Sequence, residues 1–180
     1  MKTDSDNAKN VICAIVAASG GRIHGKLRLN KAFYYAHLFY WQEHTGTLTT
    51  YPMVHMPNGP EIEQADDLLV ELKSEGRIDI CYESIGPYKE NVYQLLHPFQ
   101  LDPADSRYEA IRRAVEFING KSAAELSEET RIYSRSWREG SDGDVLDIYI
   151  DLLDDEEYAS VQRGLRSAEE LLNGAFGEYA

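Results

Sequence analysis

The residues that most often bind metal ions in proteins are spaced here in a way that does not favour a metal site. The five histidines stand at positions 24, 37, 44, 55 and 97, and no two of them form a His-x-x-x-His pair. Cys13 and Cys81 lie far apart in sequence, with no Cys-x-x-Cys pair. We therefore expect no metal and no other cofactor, and two reduced thiols, as is usual in a cytoplasmic protein.

The carboxylates and glycines do not form a catalytic pattern either. The acidic run at 151–157 lacks the alternating ligands and central glycine of a calcium loop, and it fits a capped helix start. There is no Gly-x-Ser-x-Gly elbow, and the glycine-rich stretch at 18–27 matches neither phosphate-loop spacing. These absences predict that the chain is not an enzyme. A hydrolase that uses the acidic clusters is kept as the second alternative.

The charge balance constrains the choice of partner. Lys and Arg number 18 against 31 Asp and Glu, for a net charge of −13. Such a chain repels phosphate backbones and anionic lipids, and it attracts a basic partner. The polar start is unlike a signal peptide, and no apolar run reaches the roughly 20 residues that span a bilayer. We expect a cytoplasmic protein with no membrane contact and no nucleic-acid partner.

The stretch at 28–44 predicts a helix that is apolar on most sides, which belongs in the middle of a bundle. It carries Phe33, Tyr34, Tyr35, Phe39, Tyr40 and Trp41 within nine positions. One semi-polar strip remains on this helix, and we expect it to meet either a hydrogen-bond network or a partner. The strip consists of Asn30, Tyr34, His37, Trp41 and His44.

The other elements follow from periodicity and caps. We expect a flexible tail at 1–7, a helix at 8–19, and a helix at 61–75 with Pro60 as its first residue. A hairpin at 78–95 turns at Gly86–Pro87, Asp102–Pro103 caps a helix that runs to about 118, and Ser122 with Glu125 forms a capping box. Residues 134–144 read as a polar loop, and 145–153 fit either a strand or a helical turn. An acidic helix follows at about 154–173, and Asp154 with Glu157 forms a second capping box at its start.

These elements predict a single domain at 8–180 of mainly α (α+β) class. It is a compact helical domain around a central aromatic helix, with a β-hairpin in a winged-helix-like arrangement. In that arrangement the helix at 61–75 would be the one that reads DNA. It carries six carboxylates against the single Lys73, which opposes contact with phosphates. A winged-helix-like transcriptional regulator is the first alternative function.

Three short motifs, taken in order, resemble the Panacea domain of SocA-like antitoxins, a phage-associated and bacterial family. They are Leu29-Asn30-Lys31 with Tyr34-Tyr35-Ala36, then Gly59-Pro60, then Leu126-Ser127 with Trp137. The resemblance covers roughly residues 8 to 150. Asn58 stands where the family usually has an aromatic residue, Thr130 or Arg131 stands where a histidine is often found, and the acidic C-terminal helix has no counterpart.

The resemblance implies a protein that works by binding. Family members neutralise a toxin encoded by an adjacent gene, and one branch delivers its toxin to a protease. We expect Lys31, Tyr35, Gly59 and Pro60 to be structural, and Phe33 and Leu69 to be fully buried. The candidate partner-binding residues are Asn30, Tyr34, His37, Trp41, Asn58, Glu63, Asp66, Glu71 and Trp137.

Overall fold

The aromatic stretch forms one long helix, and the rest of the chain packs around it in the computed structural model, which describes residues 4–85 and 88–177. The described elements, in chain order, are α1 (Ser5–Ala18), β1 (Arg22–His24), α2 (Lys26–Glu43), β2 (Met53–Met56), β3 (Gly59–Ile62), α3 (Ala65–Ser74), β4 (Ile78–Ile85), β5 (Tyr88–Leu95), α4 (Ser106–Asn119), α5 (Ala123–Tyr133), α6 (Arg135–Glu139), β6 (Val145–Leu146), a 3₁₀ helix (Ile148–Leu152) and α7 (Asp155–Gly177).

Helix α2 is the core pillar that its composition predicted. Its apolar residues Leu29, Ala32 and Phe33 have no solvent exposure. On another side of the helix, the Tyr35 ring lies 4.5 Å from the ring of Phe117 in α4, so the aromatic face is covered by a second long helix. The mainly helical α+β class is confirmed.

The first half of the chain has the element order of a winged helix. The order is α1, β1, α2, α3, β4, β5, with β2 and β3 inserted between the second and third helices. The antiparallel sheet has the order β1-β5-β4, because Ile23 pairs with Tyr93 and Ile80 pairs with the same residue from the other side. The hairpin prediction is confirmed. The three-residue strand β1 was not predicted, and the turn at Gly86–Pro87 lies outside the described residues.

The prediction that Pro60 opens a helix is wrong. Pro60 lies in β3, opposite His55 of β2, and α3 begins only at Ala65. Strand β3 is an edge of a second sheet, of order β3-β2-β6, where the missing N–H of proline leaves no ladder bond unmade. Gln64 then takes a left-handed conformation with φ 49°, and this sharp bend separates the strand from the helix.

Other boundaries shift for local reasons. Helix α1 begins at Ser5, inside the segment 1–7 that was predicted to be a flexible tail, and the Ala8 N–H donates to the Asp4 carbonyl. Helix α4 is capped by Asp105 rather than by Asp102–Pro103, since the Asp105 side chain accepts from the Arg107 N–H. The predicted polar loop contains the short helix α6. The sequence allowed either a strand or a helical turn at 145–153. The chain forms both, strand β6 followed by the 3₁₀ helix.

Two capping boxes are confirmed. Ser122 accepts from the Glu125 N–H while the Glu125 carboxylate accepts from the Ser122 N–H. Asp154 and Glu157 exchange the same pair of bonds at the start of α7, which extends to Gly177, beyond the predicted end at about 173. Among the described residues, no helix combines the length and the apolar character needed to cross a membrane.

Neighbouring residues of α3 give a matched test of the core. Leu69 is 2% exposed, as predicted, whereas Val70 is 62% exposed. Leu69→Ala should lower the free energy of unfolding by roughly 2–5 kcal/mol, because it removes buried methyl groups and leaves a cavity. Val70→Ala should change it by less than about 0.5 kcal/mol. Urea denaturation measures both; equal losses would contradict the assigned helix face.

Candidate functional site

The motifs that carry the family resemblance meet in one place, between α2 and the hairpin β2–β3. The Asn30 side-chain oxygen accepts from the Ile62 N–H at 3.2 Å. The Lys31 ammonium donates to the Asn58 carbonyl at 2.7 Å and faces the Pro60 carbonyl at 3.4 Å. Two successive residues of the aromatic helix therefore hold the backbone of β3. The structural role expected for Lys31 has a direct basis in these contacts.

Gly59 is fixed by the same junction. Its φ of +100° is strained for any residue with a side chain. A Cβ atom there would overlap the Lys31 ammonium and would lie 2.5 Å from the Thr130 hydroxyl oxygen. That hydroxyl is itself held in α5, where it donates to the Leu126 carbonyl at 3.0 Å. Gly59 therefore lies where a side chain does not fit, and Thr130 forms one wall of its pocket.

Lys31 is a fully buried cation in this junction. Burial lowers its pKa from the usual value near 10.5 to about 8, and the negative charge of Glu61 opposes the shift. At neutral pH the ammonium is therefore charged and satisfied by carbonyl groups. We call these two contacts the Lys31 clamp; removing the ammonium would take the Lys31 donor away from both carbonyl groups.

Tyr34 joins a second buried network, centred on Asp151. The Asp151 carboxylate accepts from the Tyr34 hydroxyl at 2.5 Å, from the Ser134 hydroxyl at 2.8 Å, and from the Ser136 N–H at 2.6 Å. Burial, reinforced by the charge of Asp151, raises the Tyr34 pKa far above its ordinary value, so the phenol stays protonated. Sequence reasoning treated Asp151 as part of a solvated helix entry. Its function is to hold α6 and the 3₁₀ helix against α2.

His37 and Trp41 continue the same strip and differ in exposure. The His37 Nδ1–H donates to the Phe33 carbonyl at 2.8 Å, and complete burial lowers the His37 pKa from about 6.5 to about 4. Trp41 is 38% exposed and packs on Tyr149, with ring centroids 5.0 Å apart. Most of the strip thus meets an internal hydrogen-bond network, which was one of the two expectations.

Trp137 anchors β2. Its indole N–H donates to the Met56 carbonyl at 2.8 Å, and its ring stacks on His55 at 4.7 Å with an interplanar angle of 6°. Asn30, Tyr34 and His37, proposed as partner contacts, are buried, and Trp137 is half-buried against β2. These four positions hold the fold in this conformation. The candidate contacts that remain accessible are Trp41, Asn58, Glu63, Asp66 and Glu71.

Carboxylates cluster around the start of α3. We call this cluster the acidic surface, and it consists of Glu61, Glu63, Asp66, Asp67 and Glu71. Asp66 pairs with Lys26 at 2.8 Å. In the described part of the chain, Glu61, Glu63 and Asp67 form no ion pair. Negative charge also suits the first turn of a helix, so part of the cluster stabilises α3.

Two grooves of mixed polar and apolar lining flank the acidic surface. One, of about 330 Å³, lies between β2–β3 and the start of α3 and is lined by Val54, Met56, Ile62 and Ala65 together with Glu61, Asp66, Asp67, Lys26 and Gln64. The other, of about 430 Å³, lies across the helix and is lined by Tyr51, Leu68 and Val70 together with Asp67, Glu71, Ser5 and Gln64. A groove that combines apolar side chains with carboxylates fits Lys and Arg side chains, which combine an aliphatic stem with a cationic head.

Not every acid near α3 is available to a partner. Glu75 binds the Lys9 ammonium, which is almost completely buried and also lies 3.2 Å from Asp6 and 3.4 Å from Glu71. These carboxylates raise the pKa of Lys9 above its ordinary value. Neutralising Glu75 would therefore damage the fold, so Glu75 is excluded from the acidic surface.

Helix α3 occupies the position of the recognition helix in a winged helix, and its charges are mostly negative. Its exposed positions include Asp66, Asp67 and Glu71, and Lys73 is paired with Asp79 at 2.9 Å.

The described residues contain no group of three or more His, Cys, Asp or Glu placed to hold a metal ion. Comparisons with family models, with curated proteins and with solved structures find no match to this chain.

A comparison of two glycines separates the energetic cost of a positive φ from the cost of crowding at the junction between α2 and β3. Gly59 and Gly46 have φ of +100° and +96°, but a Cβ at Gly46 meets nothing within 4 Å. Gly46→Ala should lower stability by about 1–2 kcal/mol through strain alone. Gly59→Ala should lower it by an additional 1–3 kcal/mol or so, because the Lys31 clamp must move. Thermal or urea unfolding of both variants measures the difference, and similar losses would contradict the junction.

His37 predicts a pH dependence of stability. Its folded pKa near 4 lies below its unfolded value near 6.5, so the unfolded chain binds the extra proton between these values. Stability should fall as pH drops from 6.5 towards 4, by up to about 3 kcal/mol from this residue. His37→Gln should reduce that fall, and His97→Gln, at an exposed position, should not. A wild-type slope in His37→Gln would contradict the assignment.

Proposed function

We propose that this chain is an antitoxin-like binding module that neutralises a basic toxin protein encoded by a neighbouring gene. The observation that carries the proposal is the acidic surface, where the unpaired carboxylates Glu61 and Asp67 line grooves that also contain apolar side chains. The motif resemblance supplies the antitoxin class, and the charge of −13 supplies the sign of the partner. The partner inserts Lys or Arg side chains into the grooves and presents apolar groups to Val54 and Met56.

The proposed binding divides into two physical steps. The long-range negative field speeds the encounter with a basic protein, and this effect weakens as salt rises. The grooves then retain the complex, because apolar contacts in a recess resist salt and slow dissociation. Neutralisation follows if the bound surface of the toxin includes its active site. Delivery of the captured toxin to a protease, as in one branch of the resembling family, is compatible with the same surface.

A transcriptional regulator is the second candidate function. The strand order β1-β5-β4 after α1 and α2 favours it, since this is the arrangement that presents α3 and a wing to DNA. The carboxylates on α3 oppose it, because phosphate contacts would leave them facing like charge. Both functions predict binding that weakens as salt rises, but to different partners. The antitoxin would bind a basic protein, and the regulator would bind duplex DNA.

Co-expression tests the proposal at the level of function. The reading frame next to this gene is expressed alone and together with this chain. We expect growth arrest in the first case and rescue in the second, with the two proteins co-purifying. A harmless neighbour, combined with salt-sensitive retention of operator DNA by this chain, would overturn the proposal in favour of the regulator.

Charge variants test the surface. We expect Glu63→Gln, Asp66→Asn and Asp67→Asn together to slow association with the neighbouring gene product roughly three- to tenfold at low ionic strength, and to flatten its salt dependence. Glu109→Gln, Glu116→Gln and Glu128→Gln make the same charge change on α4 and α5 and serve as the control. Stopped-flow kinetics at two ionic strengths measures both sets. Equal slowing by both would show that net charge acts without this surface.

A further inference from the structure

A recess of about 210 Å³ lies between α1 and α4 and shares no residue with the acidic surface. Its lining contains one charged side chain, the guanidinium of Arg107, and no carboxylate. Carboxylates line both grooves beside the acidic surface, so this recess differs from them in the sign of its charge. In a chain of charge −13, a recess whose one charged group is a cation favours an anionic ligand.

The buried part of this lining is apolar. Val11 of α1, Ile111 of α4 and Leu48 are at most 7% exposed. The aromatic side chains of Phe99 and Tyr108 also line the recess and are half-buried. A cavity of roughly 150 Å³ is enough to hold a benzene molecule. The recess therefore has room for one six-membered ring with a short substituent.

Arg107 is oriented by the residue that caps its own helix. The Asp105 carboxylate accepts from the Arg107 N–H and from its Nε–H, both at 3.0 Å, and also from Nη2. These bonds hold one edge of the guanidinium, and Asp105 does not line the recess. In the part of the chain that the structure describes, the remaining nitrogen, Nη1, donates to no protein group. A positioned guanidinium nitrogen is a strong donor to a carboxylate.

Asn10 supplies a second donor from the α1 side. Its side-chain oxygen accepts from Arg77 at 2.7 Å, and its amide NH₂ has no acceptor among the described residues. We propose that the recess binds a small organic carboxylate that carries one aromatic ring. The carboxylate accepts from Arg107 Nη1 and from the Asn10 amide, and the ring lies against the apolar lining.

Other ligand classes fit the recess less well. A cation of the same shape would place its charge beside the Arg107 guanidinium. A neutral aromatic molecule would gain apolar contact but no charge-assisted hydrogen bond. A small carboxylate without a ring would leave the apolar lining in contact with water. The site is independent of the acidic surface, so its failure would leave the proposed function untouched.

Titration of the full chain with phenylacetate, followed by ¹H–¹⁵N NMR, tests the site. We expect a dissociation constant of about 1 mM or below, with the largest shifts in α1 and α4. Phenylacetamide keeps the ring and replaces the carboxylate by a neutral amide, so it should bind at least about tenfold more weakly. Acetate lacks the ring and should not bind measurably below about 10 mM.

Two arginine variants separate the site from the net charge. Arg107→Gln should weaken phenylacetate binding at least about tenfold, because it removes the Nη1 donor. Arg112→Gln makes the same charge change on α4, at an arginine of similar exposure that pairs with Glu109 and Glu116, and it should leave the dissociation constant unchanged. Both side chains are more than half exposed, so both variants should keep the wild-type unfolding midpoint.

Three results would overturn the proposal. The first is the absence of phenylacetate-induced shifts in α1 and α4 up to about 10 mM, a concentration at which even a weak specific site is well occupied. The second is equal affinity for phenylacetamide, which would show that the carboxylate is not recognised. The third is equal weakening in both arginine variants, which would assign the binding to net charge.

Discussion

The buried ammonium of Lys31 is the contact on which the arrangement of the central part of the chain depends. It sits in the core helix, yet it contacts the carbonyl groups of Asn58 and Pro60 at the start of β3. Because both carbonyls contact the same buried ammonium, their positions relative to α2 are fixed to within a hydrogen-bond length. The fixed strand then sets where α3 can begin, since only the bend at Gln64 separates them. The acidic surface is therefore placed by a cation in the core.

The carboxylates of this protein divide into two groups with different physical roles. Asp151 and Glu75 are committed to the fold, because each satisfies buried donors that water cannot reach. Glu61 and Asp67 line a surface groove and are not used by any ion pair in the part of the chain that the structure describes. Only the second group can exchange water for a partner at little cost to stability. A count of net charge does not reveal this division; it requires the partners of each carboxylate.

The elements that the sequence predicted correctly are those determined by interactions between residues close together in the chain. The aromatic helix, the hairpin and both capping boxes were predictable because periodicity and cap chemistry act within a few residues. Pro60 was misassigned because proline is equally at home at a helix start and on an edge strand, and the choice is made by pairing with His55, a tertiary event. Strand β1 was not predicted for the same reason, since its three residues form a strand only by pairing with β5. The strip of α2 was recognised as special, but whether it would be covered depended on Asp151, more than a hundred residues later.

The Lys31 clamp and the Asp151 network give the acidic surface a rigid support. Lys31, Gly59 and the Asp151 network fix the hairpin and α3 against the core, so a partner of the acidic surface meets grooves that are already formed. Preformed grooves reduce the entropy that binding must remove, which favours affinity from a small contact area.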